Sequence, residues 1–296
     1  MAGTQPVRMS AISPSPFTIE YRGPSDVRRG AHTIAFGVPV PGAITVPLRQ
    51  LGPHPLVETL ASDDLLFGAV TAEETAPLEQ LARATYAHLI EHVRKSGFPY
   101  FVRAWNFVGS INGIEARERY QLFCAGRHDA FIAAGYHHDV DLPAASAVGT
   151  PGHGLITYFL AAREPGVQVE NPRQVAAYNY PPQYGTKSPS FSRATVWRDT
   201  VFVSGTSSVV GHETIHPGNV GAQLDETLRN IEAVLGHTGR TLKDVTAAKT
   251  YIRHPADYDT IATRLRDVLP VNLYLQADIC RKDLLLEIEC VASLRG

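Results

Sequence analysis

The residue whose setting most invites chemistry is Glu287, in the C-terminal run LLLEIECVA. Leu285, Leu286 and Ile288 flank it, and a carboxyl among apolar neighbours is destabilising unless it is paired or used. Burial favours the protonated form of such a group, which suits it to general-acid work. The alternation with Leu286 and Ile288 also fits a residue on the solvent face of an edge strand. Glu289, two residues on, shares its face. Cys280 lies seven residues before Glu287, across what reads as a short hairpin turning at Arg281-Lys282-Asp283. A lone cysteine is most often a small buried apolar residue. Three arginines, Arg193 in SFSRA, Arg127 in CAGR and Arg173 in NPRQ, have the planar fork that matches a carboxylate, although most arginines simply cap elements at the surface. Tyr120, in the helix that Arg127 closes, and Tyr178 and Tyr184 offer hydroxyls as donors or serve as packing rings.

Other patterns carry less. His137-His138-Asp139 has no third ligand at metal spacing, and adjacent strand residues point apart. His212 and His216 have helical spacing inside a loop sequence, GHETIHPG. SGTSS is not a nucleophile elbow, and no Gly-rich nucleotide loop follows a strand. From the residues alone, an acid catalyst with arginine clamps and a solvent-facing carboxylate with surface arginines both stand, and no metal constellation is evident.

These side chains need elements to hold them. ATVW and TVFVSGT read as strands around a turn at Arg198-Asp199, and Asn219 to His237 reads as an amphipathic helix with Val220, Leu224, Leu228, Ile231 and Leu235 on one face. DVTAAKTYIR is the next strand. A helix follows near Pro255, with Ile261, Leu265 and Val268 inward, and then a final hairpin of NLYLQADI and LLLEIECVA. The order β-β-α-β-α-β-β repeats in the first half: the strand DDLLFGAV, a helix from Leu78 to Val93, the strand FPYFVRAWNFV, a helix from Glu115 to Ala133, and a closing pair AASAVGT and GLITYFLAAR. Such a repeat implies duplication and an α+β protein in which each sheet carries two helices on one face. The expected division is residues 1–163, a Pro- and Tyr-rich ordered linker at 164–190, and residues 191–296.

A chain of 296 residues with 44% apolar residues can bury a full core. Three scattered cysteines, Cys124, Cys280 and Cys290, make no disulfide framework. The N-terminal MAGTQPVRMSAISPSPF lacks the apolar centre of a signal peptide, and no segment is apolar for long enough to span a membrane. A formal net charge of -2 with dispersed Lys and Arg gives no footprint for nucleic acid or an anionic membrane. A cytoplasmic protein that catches small anions with local arginines is expected.

From Thr195 to Ala292, FVSGT, a Gly-rich loop, AQLDETLRNIEAVL, a strand ending TYIR and LLLEIECVA resemble the RidA/YjgF family. The first half narrows this: RAWNFVGSIN, ERYQLFCAGRHDAF, LPAASAVGT, VENPRQVAAYNYPPQYG and SPSFSRA resemble the chorismatases, whose chains fuse a degenerate RidA-like domain to a clear one. Asn272 stands where RidA deaminases carry a carboxylate-binding Arg, whereas the acid at Glu287 is retained. The resemblance implies that chorismate, a dianion with an enolpyruvyl ether, is the substrate, that Glu287 protonates its methylene carbon, and that no metal or organic cofactor takes part. It implies a substrate site including Arg193, Ser192, Arg127, Tyr120, Arg173, Tyr184, Gly205 and Thr206. A Cys at the place of Cys280 resembles the 3-hydroxybenzoate-forming type, in which a ring hydroxyl displaces the enolpyruvyl group through an epoxide-like intermediate; an Ala there accompanies hydrolysis to a dihydroxycyclohexadiene carboxylate. Ser192 matches a second position that varies between the types, but is neither Gly nor Ala. The alternatives are that hydrolysis, a RidA-type imine deaminase, and a non-catalytic binding protein. Either a monomer or a homotrimer fits the resemblance.

Overall fold

The computed structural model describes residues 17–21, 30–34, 43–45, 56–61 and 63–293. The N-terminal run read for a signal peptide, and the start of the 1–163 unit, therefore fall largely outside the described residues. Three strands, β1 (Phe17–Tyr21), β2 (Gly30–Ile34) and β3 (Ala43–Thr45), form a small sheet in the order β2-β1-β3.

The first large sheet is built from β4 (Leu56–Ala61), β5 (Leu65–Ala72), β6 (Tyr100–Gly109), β7 (Ala144–Thr150) and β8 (Leu155–Ala162), with helices α1 (Leu78–Lys95) and α2 (Arg119–Ala133). Helix α1 buries Leu78, Ala82, Tyr86, Leu89 and Val93, a repeat of three or four residues that makes one apolar stripe. Arg94 and Lys95 occupy its last turn, where the helix dipole favours cations.

After β9 (Val167–Val169) and two single 3-10 turns (Ala177–Asn179 and Pro182–Tyr184), the same order recurs. It comprises β10 (Ala194–Trp197), β11 (Thr200–Thr206), a small ribbon of β12 (Val209–Val210) and β13 (Glu213–Thr214), α3 (Val220–His237), β14 (Val245–Ile252), α4 (Tyr258–Leu265), β15 (Asn272–Gln276), β16 (Asp278–Ile279) and β17 (Leu286–Ser293). Helix α3 starts at Asn219, whose side chain accepts the Ala222 N–H.

The two large sheets have one topology. The first runs β4-β5-β8-β6-β7 and the second β10-β11-β17-β14-β15, so each strand of one half has its counterpart in the other. Each sheet then takes a sixth, borrowed strand: β16, from the second half, pairs with β7, and β9 pairs with β10. The expected terminal hairpin is thus corrected. β15 lies parallel to β14, and β17 is antiparallel to both β14 and β11. Likewise β7 is parallel to β6, while β8 pairs with β5 and β6. In both halves the last strand inserts at the sheet centre, where both of its edges find partners.

Strand alternation then produces four layers. On β5, Leu66 and Val70 face the helices α1 and α2, while Leu65, Phe67 and Ala69 face the second sheet. On β17, Leu286, Ile288, Cys290 and Ala292 face α3 and α4. Val291 faces the first sheet, in a cluster with Trp105, Tyr158, Phe202 and Tyr251. Glu287 and Glu289 share the parity of Val291, so both carboxylates point into the space between the sheets. The solvent-facing edge-strand alternative for Glu287 is excluded, because β17 is central and its second face is covered.

Candidate active site

Where the two sheets meet at β7 and β11, packing leaves a cavity of about 600 Å³. Both halves and the segment between β9 and β10 wall it: α2 contributes Tyr120, Cys124 and Arg127, β7 contributes Ser146, that segment contributes Gln174, Tyr180, Tyr184 and Ser190, and β11 contributes Gly205. The segment from Cys280 to Leu284 and Glu287 complete it. Its volume is that of an ordinary small-molecule site.

Glu287 is a buried part of the lining, and its Oε1 has no protein hydrogen-bond partner. Burial first, and then the Glu289 anion, push its carboxyl up to about 8, with the Arg103 guanidinium opposing them. It therefore carries its proton at neutral pH. Gly205 makes room for this carboxyl: a Cβ built there would collide with Glu287 Oε1. Glu289, by contrast, is fully engaged, accepting from Arg103, Lys249, Trp105 and Ser146. Its burial is outweighed by Lys249 and Arg103, which hold it below the usual carboxylate range.

Two buried guanidinium groups line the same cavity. Arg127 sits mid-helix in α2, rather than closing it, and lies over the rings of Tyr86 and Phe131 at 4.8 and 5.3 Å. Its Nε and Nη2 have no hydrogen-bond partner. Arg193 donates from Nη2 to the Val175 carbonyl and to the Tyr180 hydroxyl, each at 2.8 Å, and leaves Nε unpartnered. Unmade N–H bonds on buried cations are destabilising, and a carboxylate is the partner whose geometry matches them best. A third cation escaped the sequence reading. Arg281 stacks on Tyr184 at 4.2 Å and Tyr180 at 5.2 Å, and donates to the His212 carbonyl at 2.8 Å. Its only signal in the sequence is its place next to Cys280.

Cys280 lines the cavity, and burial together with the Glu287 carboxyl raises its thiol to about 12, so it is not a thiolate. Cys124 is raised to about 12 as well, chiefly by burial, despite a hydrogen bond with Tyr120. The Tyr184 hydroxyl meets His212 Nδ1 at 3.2 Å, which gives that loop histidine a role in holding the wall.

Three expected site residues are not in the cavity lining. Arg173 pairs with the buried Glu226 of α3. Thr206 follows Gly205, but strand alternation turns it away, and its hydroxyl donates to the Ser204 carbonyl. Ser192 is completely buried behind Arg193, with Oγ 3.3 Å from Thr195 Oγ1. Tyr178 packs in the first helix layer. Asn272 bonds Thr250 through its amide at 2.9 Å. His137 and His138 lie in the loop after α2, not in a strand. Burial lowers His138 to about 4, and it packs edge-on against His128. Among the described residues no group of three or more His, Cys, Asp or Glu side chains could hold a metal, and no helix is long and apolar enough to cross a membrane.

This architecture has known relatives. Residues 48–161 match the family model described as chorismatase FkbO/Hyg5-like, N-terminal, and residues 186–294 match endoribonuclease L-PSP, a RidA-like domain. A chorismatase from Streptomyces rapamycinicus is 37% identical over 268 residues, covering 83% of this chain and 79% of its own. A 3-hydroxybenzoate synthase from Streptomyces hygroscopicus is 37% identical over 260 residues, covering 79% of this chain and 75% of its own. A crystal structure of a chorismatase superposes with a TM-score of 0.77 at 29% identity, covering 94% of this chain and 92% of that one.

Proposed function

The chain belongs to the chorismatase family, and from that premise we propose that it converts chorismate to 3-hydroxybenzoate and pyruvate, with Glu287 as the proton donor. The observation that carries the reading is one carboxyl: Glu287 is buried, keeps its proton at neutral pH, and ends in an unpartnered oxygen inside a cavity lined by Arg127, Arg193 and Arg281.

The arginines hold the two carboxylates of the substrate. Arg127 and Arg193 offer unmade N–H bonds, and Arg281 is fixed by its tyrosines. The proton of Glu287 passes to the methylene carbon of the enolpyruvyl group, leaving an oxocarbenium ion and a Glu287 carboxylate. Attack by the adjacent ring hydroxyl breaks the ether bond and releases pyruvate, and the hydroxyl proton returns to the carboxylate. The epoxide-like ring then opens and aromatises. Atoms balance without water. Cys280, as a neutral thiol beside Glu287, fills the space next to the ring and keeps water from competing with that internal attack. Tyr120 and Tyr184 shape the walls. Because both halves of one chain supply those walls, the reading favours a monomer over the homotrimer as the catalytic unit. It also favours the cytoplasm, where the three free cysteines stay reduced.

The test is direct. Purified protein is incubated with chorismate, pyruvate is followed by a coupled assay, and the aromatic fraction is separated by chromatography. Equimolar 3-hydroxybenzoate and pyruvate support the proposal; a diene acid in place of 3-hydroxybenzoate redirects it to hydrolysis, and no pyruvate removes it.

A further inference from the structure

Glu289 is surrounded by donors that the proposed reaction does not use. Its Oε1 accepts from Lys249 Nζ at 2.6 Å and from Trp105 Nε1 at 2.7 Å. Its Oε2 accepts from Arg103 Nη2 at 2.8 Å and from Ser146 Oγ at 2.5 Å. All five side chains are buried. Buried ion clusters are poor sources of stability, since apolar residues of equal volume often do as well or better.

The location of the cluster supplies another reason for it. Ser146 lines the cavity and accepts the Gly205 N–H at 3.0 Å, and Gly205 is the residue whose missing side chain makes room for the Glu287 carboxyl. The two carboxyl groups therefore flank one Gly205–Ser146 pair. They are same-face neighbours on β17, with a backbone spacing of about 7 Å, a distance at which like charges in a poorly solvated interior repel. Arg103 and Lys249 fix the negative charge on Glu289, so the second carboxyl is the one that stays neutral. The charged and titratable groups around Glu287 are Glu289 on its own strand, Arg103 from β6, its own register partner Tyr251 and the Glu289 partner Lys249 from β14, the Cys280 thiol, and across the cavity Tyr120, Arg127, Arg193 and Arg281; burial lowers Lys249 to about 8.

The geometry points to Glu289 as a positioning residue: an anion anchored by Arg103 and Lys249 that keeps Glu287 in its proton-carrying form. The inference rests on the reading of Glu287 as proton donor. It is separable from that reading, because the Glu287 proton can be observed without turnover.

The experiment follows the Glu287 carboxyl by infrared titration of the substrate-free enzyme, its band assigned by its loss in Glu287→Gln, alongside the pH profile of kcat with chorismate. Glu289→Gln removes the anion, so the titration midpoint and the basic limb of kcat both move down by about 1 to 2 pH units. Arg103→Met removes an opposing cation, so both move up. Glu289→Asp restores wild-type behaviour. Should Glu289→Gln fold poorly, the double variant Arg103→Met/Glu289→Gln, which leaves no stranded charge from that pair, is compared with Arg103→Met alone: its midpoint lies lower if Glu289 supplies the repulsion and is unchanged if it does not. A merely structural cluster lowers kcat equally at every pH and leaves the midpoint where it was, which overturns the inference. A midpoint that moves without any change in the profile of kcat upholds the coupling and removes Glu287 as the donor.

Discussion

Replacing Glu287 by Gln should make the protein more stable at neutral and alkaline pH, and the size of the gain follows from its burial. In the unfolded chain this carboxyl ionises near its ordinary value of 4.5; in the folded state it holds its proton up to about 8. Between those values the folded protein binds more protons than the unfolded one, so stability falls as pH rises. The sign is that of a raised folded-state pKa: the contribution is full below pH 4.5 and is lost as pH climbs to about 8. Each pH unit in that window is worth about 1.4 kcal/mol, giving a penalty of about 3 to 5 kcal/mol by pH 8, of which Gln is free because it has no proton to lose. Urea unfolding of wild type and Glu287→Gln, measured from pH 5 to 9, reads it out. The difference should be small at pH 5 and grow to several kcal/mol at pH 8. A difference that stays flat across that range would refute the argument that Glu287 is neutral because it is buried.

The other predictions concern the cavity walls. Gly205→Ala places a methyl where Glu287 Oε1 lies; displacing the acid by about 1 Å should lower kcat about 10²-fold with only about 1 to 3 kcal/mol lost from stability, measured by steady-state kinetics and denaturation. Arg127→Met keeps volume but removes a buried cation with unmade N–H bonds; KM for chorismate should rise about 10²-fold, and an unchanged KM would take Arg127 out of the site. Cys280→Ala should open space beside the ring for water, so that pyruvate release persists while the chromatogram shifts from 3-hydroxybenzoate toward the dihydroxycyclohexadiene acid.

The helices and the duplication are legible in the sequence because they rest on local periodicity. The spacing of Leu224, Ile231 and Leu235 marks α3 without reference to the rest of the chain, and the repeated element order leads to two sheets of one topology. The partners of each strand are not legible. That β15 lies beside β14, or that β16 crosses to the first sheet, is decided by packing between segments far apart in sequence. The same limit governs the site. Glu287, Cys280, Arg127, Arg193, Tyr120, Tyr184 and Gly205 line one cavity. Thr206 and Ser192 are immediate neighbours of lining residues, but strand alternation and burial turn them away. Arg173 has a partner in Glu226, which no local pattern announces. Glu289 looks like a second candidate acid in the string EIE; only the fold brings it Arg103, 186 residues away in sequence, and so fixes it as an anion.

The most direct test of the central claim is the amount of 3-hydroxybenzoate and pyruvate formed from chorismate by wild type and by Glu287→Gln, with both proteins shown to be folded. The account predicts equimolar products from wild type and a rate lowered by about 10²- to 10⁴-fold in the variant. Products at the wild-type rate from Glu287→Gln, or none from the wild type, would contradict it.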